Sequence, residues 1–153
     1  MAKRILVLVE RTKEMEFALR VAQMIAHESG GVIRLLAVIP IPAPLRDRRD
    51  CVIVTTDQQM ERLALSAADE LRRMAAVSLE GVPVETSVIF GERALEIGVE
   101  AECFNADLVV MPPAHRPNPA VWISSLARRL LAGRTASEVD VLRVWALRPE
   151  ALA

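Results

Sequence analysis

The sequence predicts a single α/β domain with a doubly wound, Rossmann-like fold, in which a five-stranded parallel sheet carries helices on both faces. Apolar runs of strand length alternate with amphipathic segments of helix length along 153 residues, which is typical of parallel strands joined by right-handed helical crossovers. The first run, residues 5–9, is wholly aliphatic, as expected of a strand covered on both faces. Apolar residues make up 52% of the chain and aromatic residues only 3%, so the core must be aliphatic.

Composition and charge exclude several classes of function. The formal net charge is −1, so no global signal points to nucleic acid or to an anionic membrane surface. The first apolar run ends at Glu10 and is too short for a signal peptide or a membrane span. We therefore expect a cytoplasmic protein with one domain over residues 1–153. Cys51 and Cys103 show no CxxC or zinc spacing, and two reduced thiols are favoured over a disulfide or a reactive thiol.

A helix over residues 14–29 and a strand over residues 32–39 follow the first strand. Gly30 and Gly31 supply the left-handed stop that ends the helix. His27 lies late in this helix, where a cation suits the C-terminal dipole, and it has no metal-ligand spacing. The side chains predicted to face inward recur at three- and four-residue spacing: Met15, Ala18, Leu19, Ala22, Ile25 and Ala26.

A proline-rich, irregular segment separates the second strand from the next helix. Pro40, Pro42 and Pro44 end the strand, because proline has no N–H to donate to a sheet. The mixed charges of residues 46–50 favour a solvated turn over a binding patch. Residues 51–54 are predicted either as a short extended piece or as packing beneath the following helix.

A long helix begins at Thr55, Thr56 or Asp57, each of which can cap it, and runs to about Leu79. Its apolar positions form one stripe, which is more typical of a face packed on the core than of a cofactor site. The charged residues between them mostly belong to the solvated face. The stripe predicted to be buried comprises Met60, Leu63, Ala64, Ala67, Ala68, Leu71, Met74 and Ala75.

The second half of the chain repeats the alternation. Gly81 ends the long helix, and a strand covers residues 82–90, with Pro83 near its start where a missing N–H is tolerated. Gly91 ends that strand. The remaining predicted elements are a helix over residues 94–104 with Asn105 as a left-handed cap, a strand over 106–111, a helix over about 120–132 closed by Gly133, a strand over 139–145 and a tail over 148–153.

The loop after the strand over residues 106–111 is the most informative stretch. In an open parallel sheet, ligands bind beyond the carboxyl ends of the strands. A phosphate-binding loop there needs glycines, so that the backbone can approach the phosphate and point N–H groups at it. Residues 112–119 contain no glycine, and Pro113, Pro117 and Pro119 have no N–H to donate. The sequence therefore predicts that a phosphate cradle is missing.

The ordered set of segments resembles the universal stress protein family over residues 3–146. The family usually ends its opening strand in Asp, where this chain has Glu10. The resemblance implies an adenine nucleotide alpha hydrolase-like fold. It rests on five segments: residues 3–10, similar to the opening strand; 91–97, similar to the Gly-led start of the third helix; 106–111, similar to the fourth strand; 125–130, similar to the start of the fourth helix; and 141–144, similar to the closing strand.

Members of that family that bind ATP carry G-x2-G-x9-G-S/T directly after the fourth strand, and this chain departs from the motif. The first two glycine positions fall on Pro112 and His115. The third falls on Ser125 by strict count, or on Ser124 if the loop is one residue short. No register restores a glycine. The resemblance implies a degenerate nucleotide site that comprises Glu10, Ile39, Pro112, His115, Arg116, Ser124 and Ser125.

These side chains also have plainer interpretations. Glu10 lies at a strand end, and two roles are open for its carboxylate. It is expected either to contact a base, a ribose or a metal ion, or only to cap the following turn. His115 and Arg116 could hold a phosphate, since arginine gives bidentate contacts. The favoured interpretation is that both residues lie in an exposed loop. The hydroxyls of Ser124 and Ser125 could donate hydrogen bonds to an anion near the start of a helix. The favoured interpretation is that they are ordinary polar residues of the first turn.

We infer no enzymatic function from the sequence, because it contains no catalytic motif and no metal site. The resemblance implies a non-enzymatic stress-response or regulatory protein. The glycine-free loop favours the branch of the family whose members do not bind ATP tightly, so we expect no cofactor. One alternative is a nucleotide-binding switch with a rewritten loop, which would take ATP with magnesium. Another is an interaction module that serves a transporter or a kinase as its unidentified protein partner.

The last strand predicts a homodimer. In the family this strand lies at the sheet edge, where bare N–H and C=O groups are a pairing hazard. An apolar edge is most simply buried against a second copy, and a two-fold dimer is the commonest closed arrangement. The alternative is a monomer whose edge is covered by the tail. The residues expected in the interface are Val139, Val141, Arg143, Val144 and Trp145.

Overall fold

Strands and helices alternate along the part of the chain that the computed structural model describes, which is residues 3–13, 15–111 and 140–143, the last four by their backbone alone. The elements in chain order are β1 (Arg4–Leu8), α1 (Met15–Ser29), β2 (Val32–Ile39), β3 (Leu45–Arg46), β4 (Val52–Val54), α2 (Thr56–Ser78), β5 (Val84–Phe90), α3 (Arg93–Phe104), β6 (Leu108–Met111) and β7 (Asp140–Arg143).

Five strands form one sheet in the order β5-β2-β1-β6-β7, and every neighbouring pair in it is parallel. Helices α1 and α2 pack on one face, and α3 packs on the other. The predicted doubly wound α/β fold is therefore confirmed. The direction of winding changes between β1 and β6, and ligands of such sheets bind beyond the carboxyl ends of the strands at this switch point.

The central strand β1 accounts for the continuous apolar run at the start of the chain. Ile5 and Val7 point into the core on the α1 and α2 side. Leu6 and Leu8 point into the core beneath α3. All four side chains are at most 2% exposed. Because both faces of β1 are covered, no position in it tolerates a polar side chain without a partner.

Two predicted helix ends are confirmed, and each uses a residue with positive φ. Gly30 has φ +65° after α1, and the N–H of Gly31 donates to the carbonyl of Ala26 at 2.8 Å. A Cβ on Gly31 would collide with the backbone of Lys3, so only glycine fits there. Asn105 takes the left-handed conformation after α3, with φ 58° and ψ 46°.

The segment between β2 and α2 is more ordered than the sequence indicates. Leu45–Arg46 and Val52–Val54 pair as a short antiparallel hairpin, β3 and β4. The turn between them is exposed, as predicted, and is held by Asp47, whose Oδ1 accepts hydrogen bonds from the N–H groups of Arg49 and Cys51. For residues 51–54 the extended alternative is correct. Val52 and Ile53 are exposed, so they do not pack beneath α2.

The stripe predicted to be buried on α2 is mostly half-buried in the structure, and the prediction is wrong for Leu63, which is exposed. Thr55 caps the helix through a capping box with Gln58, but of the predicted stripe only Leu71 is buried, and Leu63 is 38% exposed. The 23 residues of α2 make a helix about 34 Å long, whereas the seven residues of β5 span about 23 Å. The first turns of α2 therefore extend past the carboxyl edge of the sheet.

Other element ends differ by one or two residues from the prediction. The strand β1 keeps the predicted length but begins and ends one residue before the predicted 5–9, and β5 and β6 each begin two residues later than the predicted 82–90 and 106–111, as is usual for strand ends. Residues 140–143 form the edge strand β7, within the predicted 139–145. The predicted helix over 120–132, its end at Gly133 and the tail over 148–153 lie outside the described residues.

Candidate functional site

A cavity of about 280 Å³ lies beyond the carboxyl ends of β1 and β2, beside the overhanging first half of α2. This volume is close to the lower end of the roughly 300–1,000 Å³ that is common for small-molecule sites. Three elements line it: the chain after β1 with Val9, Glu10 and Arg11, the end of β2 with Ala37, Val38 and Ile39, and α2 with Leu63, Ser66, Ala67, Glu70 and Leu71.

The cavity exists because β1 ends earlier than β2. The last paired residues of β1 and β2 are Leu8 and Leu36, and the N–H of Val9 still donates to the carbonyl of Leu36 at 2.8 Å. Beyond that point β2 continues, paired only with β5 as far as Ile39. The step between the two strand ends leaves a hollow, and α2 closes one side of it.

Val38 presents its backbone to this hollow. Successive residues of a strand direct their N–H and C=O groups to alternate sides. The carbonyl of Leu36 accepts from Val9 on the β1 side, and that of Ile39 accepts from Gly91 on the β5 side. Val38 therefore points its N–H and C=O toward the end of β1, and no backbone group among the described residues bonds to them there. An adjacent donor and acceptor thus face the cavity without a backbone partner from the described part of the chain.

Glu10 forms a short ion pair with the first residue of α3. Nη1 of Arg93 lies 2.6 Å from Oε1 of Glu10, and the Glu10 side chain is only 12% exposed. A cation in the first turn of a helix is opposed by the helix dipole, so Glu10 stabilises Arg93 at this position. In turn, Arg93 neutralises a carboxylate that is almost removed from water.

The other charged side chains of the lining also form a pair. Nη2 of Arg11 lies 3.1 Å from Oε2 of Glu70, with 82% of the Arg11 side chain exposed. This pair is much weaker than that of Glu10, because solvent screens it. Among the described residues that line the cavity, each charged group therefore has a partner of opposite sign within the chain.

The turn between β1 and α1 holds one unsatisfied polar group. The N–H of Thr12 donates to the carbonyl of Glu10 at 3.0 Å, and the carbonyl of Thr12 accepts from the N–H of Met15 at 3.2 Å. The hydroxyl Oγ1 of Thr12 is buried and has no hydrogen-bond partner among the residues that the structure describes. A buried hydroxyl without a partner costs about 1–3 kcal/mol, so this turn stores a small amount of free energy.

The structure brings together two of the predicted site residues, since Glu10 and Ile39 both line the cavity. Pro112, His115, Arg116, Ser124 and Ser125 lie outside the described residues. His27 is exposed in the last turn of α1, away from this site, and both cysteines are free and exposed. The described part of the chain contains no group of three His, Cys, Asp or Glu side chains that would hold a metal ion.

The sequence reasoning missed Arg93, Val38 and Glu70. Arg93 carries a usable signal, because an arginine in the first turn of a helix is unfavourable unless an acidic partner lies nearby. Glu70 was expected on the solvated face of α2, and the structure places it beside the cavity, paired with Arg11. Val38 contributes backbone groups, which no sequence pattern marks.

Comparison with known proteins gives a consistent result. The model of the universal stress protein family matches residues 1–144. The universal stress protein UspA from Lactobacillus plantarum has 20% identity and a TM-score of 0.62 over 92% of this chain and 96% of that chain. A search of curated protein sequences found no significant match. Among the helices described, none is both long enough and apolar enough to cross a membrane.

Two further similar structures were solved with nucleotides. A universal stress protein in complex with cAMP has 18% identity and a TM-score of 0.55, over 93% of this chain and 95% of that chain. The universal stress protein from Archaeoglobus fulgidus in complex with dAMP has 17% identity and a TM-score of 0.52, over 94% of this chain and 97% of that chain. At such low identity, these matches support the fold alone.

Proposed function

The chain belongs to the universal stress protein family, and from that premise we propose that it is a non-enzymatic regulatory or stress-response protein that does not bind ATP tightly. The observation that carries this proposal is the segment that follows β6. It opens with Pro112-Pro113 and contains no glycine before Gly133, so the backbone lacks the residues that let N–H groups surround a phosphate chain.

The ion pairs at the cavity support the same proposal. Arg93 is already held by the carboxylate of Glu10. Arg11 is held by Glu70. A triphosphate would have to compete with both carboxylates, because like charges within a few ångströms repel each other. We therefore expect ATP to bind no more tightly than roughly 1 mM, about −4 kcal/mol.

Calorimetric titration with ATP, with and without magnesium, tests this proposal. We expect no measurable heat at micromolar protein concentration. A micromolar dissociation constant would overturn it and would support the second candidate, a nucleotide-binding switch that uses Glu10 with His115, Arg116, Ser124 or Ser125. The observation that favours this second candidate is the cavity itself, which lies beyond the carboxyl ends of β1 and β2, the edge at which doubly wound sheets bind their ligands.

Glycine substitutions in the loop after β6 test whether ATP binds weakly only because the glycines are missing, or because the rest of the site is also unsuited to ATP. Glycine at both Pro112 and His115 should not create tight ATP binding, because Pro113, Pro117 and Pro119 still restrict the backbone. Micromolar affinity in this double variant would mean that the rest of the site is ready for ATP and that only the glycines are missing.

We also propose a cytoplasmic homodimer formed through β7, which lies at the edge of the sheet. An edge strand with no neighbour leaves N–H and C=O groups unpaired, and an antiparallel pair across a two-fold axis satisfies them. Light scattering should give the mass of two chains, and Val141→Lys or Trp145→Ala should reduce it to one. A monomeric mass for the unmodified protein refutes the dimer. The cytoplasmic location is refuted if the protein is recovered in the membrane fraction of lysed cells.

A further inference from the structure

The hairpin of β3 and β4, residues 45–54, exposes apolar side chains on both of its faces. Leu45, Val52 and Ile53 are 50%, 46% and 63% exposed, and successive residues of a strand point to opposite faces. No residue of the hairpin belongs to either hydrophobic core of the described chain. A two-stranded hairpin is only marginally stable in water unless it packs on another element. The exposed apolar side chains therefore indicate an interaction surface, which we call the hairpin arm.

The turn of the hairpin arm adds two arginines that are free to meet a partner. Nη1 of Arg46 lies 3.5 Å from Oδ1 of Asp50 and donates to the carbonyl of the same residue at 3.0 Å. Oδ1 of Asp47 accepts two backbone N–H groups. Arg48 and Arg49 are exposed, and neither forms an ion pair within the described part of the chain. The hairpin arm is therefore basic as well as apolar.

The outward side of α3 carries the opposite charge. The carboxylate of Glu100 and the guanidinium of Arg93 are paired with other elements. The remaining glutamates have no ion-pair partner among the described residues, and Val99 between them is 38% exposed. At 3.6 residues per turn, six residues that are at least partly exposed lie within about 120° of each other. They form the acidic face of α3: Glu92, Leu95, Glu96, Val99, Glu102 and Cys103.

We propose that the hairpin arm of one copy of the chain docks on the acidic face of α3 of a second copy. Two free arginines then meet free carboxylates, and exposed aliphatic side chains meet Val99. Such complementarity of charge steers association and fixes its register. Because both surfaces belong to the same chain, two reciprocal contacts across a two-fold axis satisfy both at once. This interface is separate from the edge strand β7 and does not depend on nucleotide binding, so it goes beyond the proposed function.

Sedimentation velocity of the full chain with Val141→Lys tests the association apart from β7. We expect the mass to rise from one chain to two, with a dissociation constant of roughly 10 μM. The constant should increase about tenfold between about 0.1 M and 1 M salt, because salt screens exposed charges. A mass that stays at one chain up to about 200 μM overturns the proposal. If Val141→Lys folds poorly, the unmodified protein gives the same test, through a mass that rises further with concentration.

Reversal of charge on each surface identifies the two partners. In the same background, Arg48→Glu with Arg49→Glu should weaken self-association about tenfold, and Glu92→Arg with Glu102→Arg should do the same. An equal mixture of the two variants should regain the association, because each reversed surface then meets a surface of opposite charge. The proposal is overturned if either variant associates as the parent does, or if the mixture associates no better than its components.

Matched controls separate a specific contact from a general effect of charge or hydrophobicity. Arg20→Glu with Arg73→Glu changes the net charge equally at two exposed positions outside both surfaces and should leave the association unchanged. Ile53→Ser removes an apolar side chain of the hairpin arm and should weaken the association about tenfold. Leu65→Ser is its control, since Leu65 on α2 is 64% exposed. If either control weakens the association as much as its test variant, the proposal is overturned.

Discussion

Two charged clusters lie at opposite ends of the strands, and they differ in how many bonds each charge makes. Near the start of β2, Arg34 donates to Glu85 through Nε and Nη2, at 3.0 and 2.7 Å, and to Glu100 through Nη1 at 2.7 Å. Beyond the end of β1, Arg93 contacts Glu10 through one nitrogen. The arginine of the first cluster is bonded through three nitrogens, whereas that of the second is bonded through one, to a carboxylate that lines a cavity.

The surroundings of the two clusters reinforce the difference. The guanidinium carbon of Arg34 lies 4.3 Å from the centre of the Phe104 ring, and that of Arg4 lies 4.4 Å from the same centre. Burial alone would lower the pKa of Arg34, but the hydrogen bonds and charges of Glu85 and Glu100 outweigh burial and raise the pKa above its ordinary value. The several bonds of Arg34 fasten α3 to the sheet through Glu100, whereas the Glu10–Arg93 pair rests on a single contact.

The largest effect should come from removing the centre of the first cluster. Arg34→Ala leaves Glu100, which is 8% exposed, without its cation, and the free energy of unfolding should fall by about 3 kcal/mol. Urea denaturation measures this loss. Adding Glu100→Gln to the variant should restore part of it, and a loss under about 1 kcal/mol would show that Glu100 finds another partner.

The pH dependence of the same variant checks its origin. A folded pKa above the unfolded one gives stability that is complete below the unfolded pKa and is lost only as pH rises through the folded value. For an arginine this range lies above about pH 12. The difference between Arg34→Ala and the unmodified protein should therefore stay constant from about pH 7 to 10, and a marked decrease over that range would contradict the assignment to Arg34.

A smaller effect is expected at the cavity. Arg93→Ala leaves the carboxylate of Glu10 with no salt-bridge partner among the described residues, and the free energy of unfolding should fall by about 2 kcal/mol, the value of a charged hydrogen bond. The double variant Arg93→Ala with Glu10→Gln should recover most of this loss. If Arg93→Ala costs as much as Arg34→Ala, the distinction between the two clusters is not supported.

The turn beside Glu10 should respond in the opposite direction. Thr12→Val removes the buried hydroxyl that has no partner and keeps the shape of the side chain, so stability should rise by up to about 1 kcal/mol. Differential scanning calorimetry detects this as a higher Tm. A clear loss of stability would mean that the hydroxyl has a hydrogen-bond partner in the protein in solution.

The smallest effect is the baseline for the others. Glu16 and Arg20 form an exposed pair one helical turn apart on α1, at 2.9 Å. Arg20→Ala should change the free energy of unfolding by less than about 0.5 kcal/mol. A larger change in urea denaturation would mean that single substitutions on this surface act through something other than their ion pairs.

Much of the fold follows from local sequence patterns. The apolar run of β1 predicts a strand that is covered on both faces, and Ile5 to Leu8 are buried as expected. The Gly30-Gly31 pair and Asn105 predict helix ends, because few residues adopt positive φ without strain. Glu10 and Ile39 could be placed at the candidate site because each lies at the carboxyl end of a predicted strand.

The rest was decided by lengths and distances between elements that no single segment contains. Whether Leu63 is buried depends on α2 being longer than β5, and whether Glu70 faces a cavity depends on where β1 and β2 end beneath α2. The hairpin of β3 and β4 is too short to produce a periodic pattern. Each of these features is a relation between two elements.

The sequence by itself determined the order of elements, the aliphatic character of the core and the absence of glycines after β6, since these follow from residue type and spacing. Only the tertiary structure decided the chemistry of the cavity. Arg93 reaches Glu10 across 83 positions of sequence separation, from 10 to 93, because parallel strands bring their carboxyl ends to one edge of the sheet. The charge balance at that edge is therefore a property of the folded chain, where the Coulomb interaction depends on distance in space and not along the sequence.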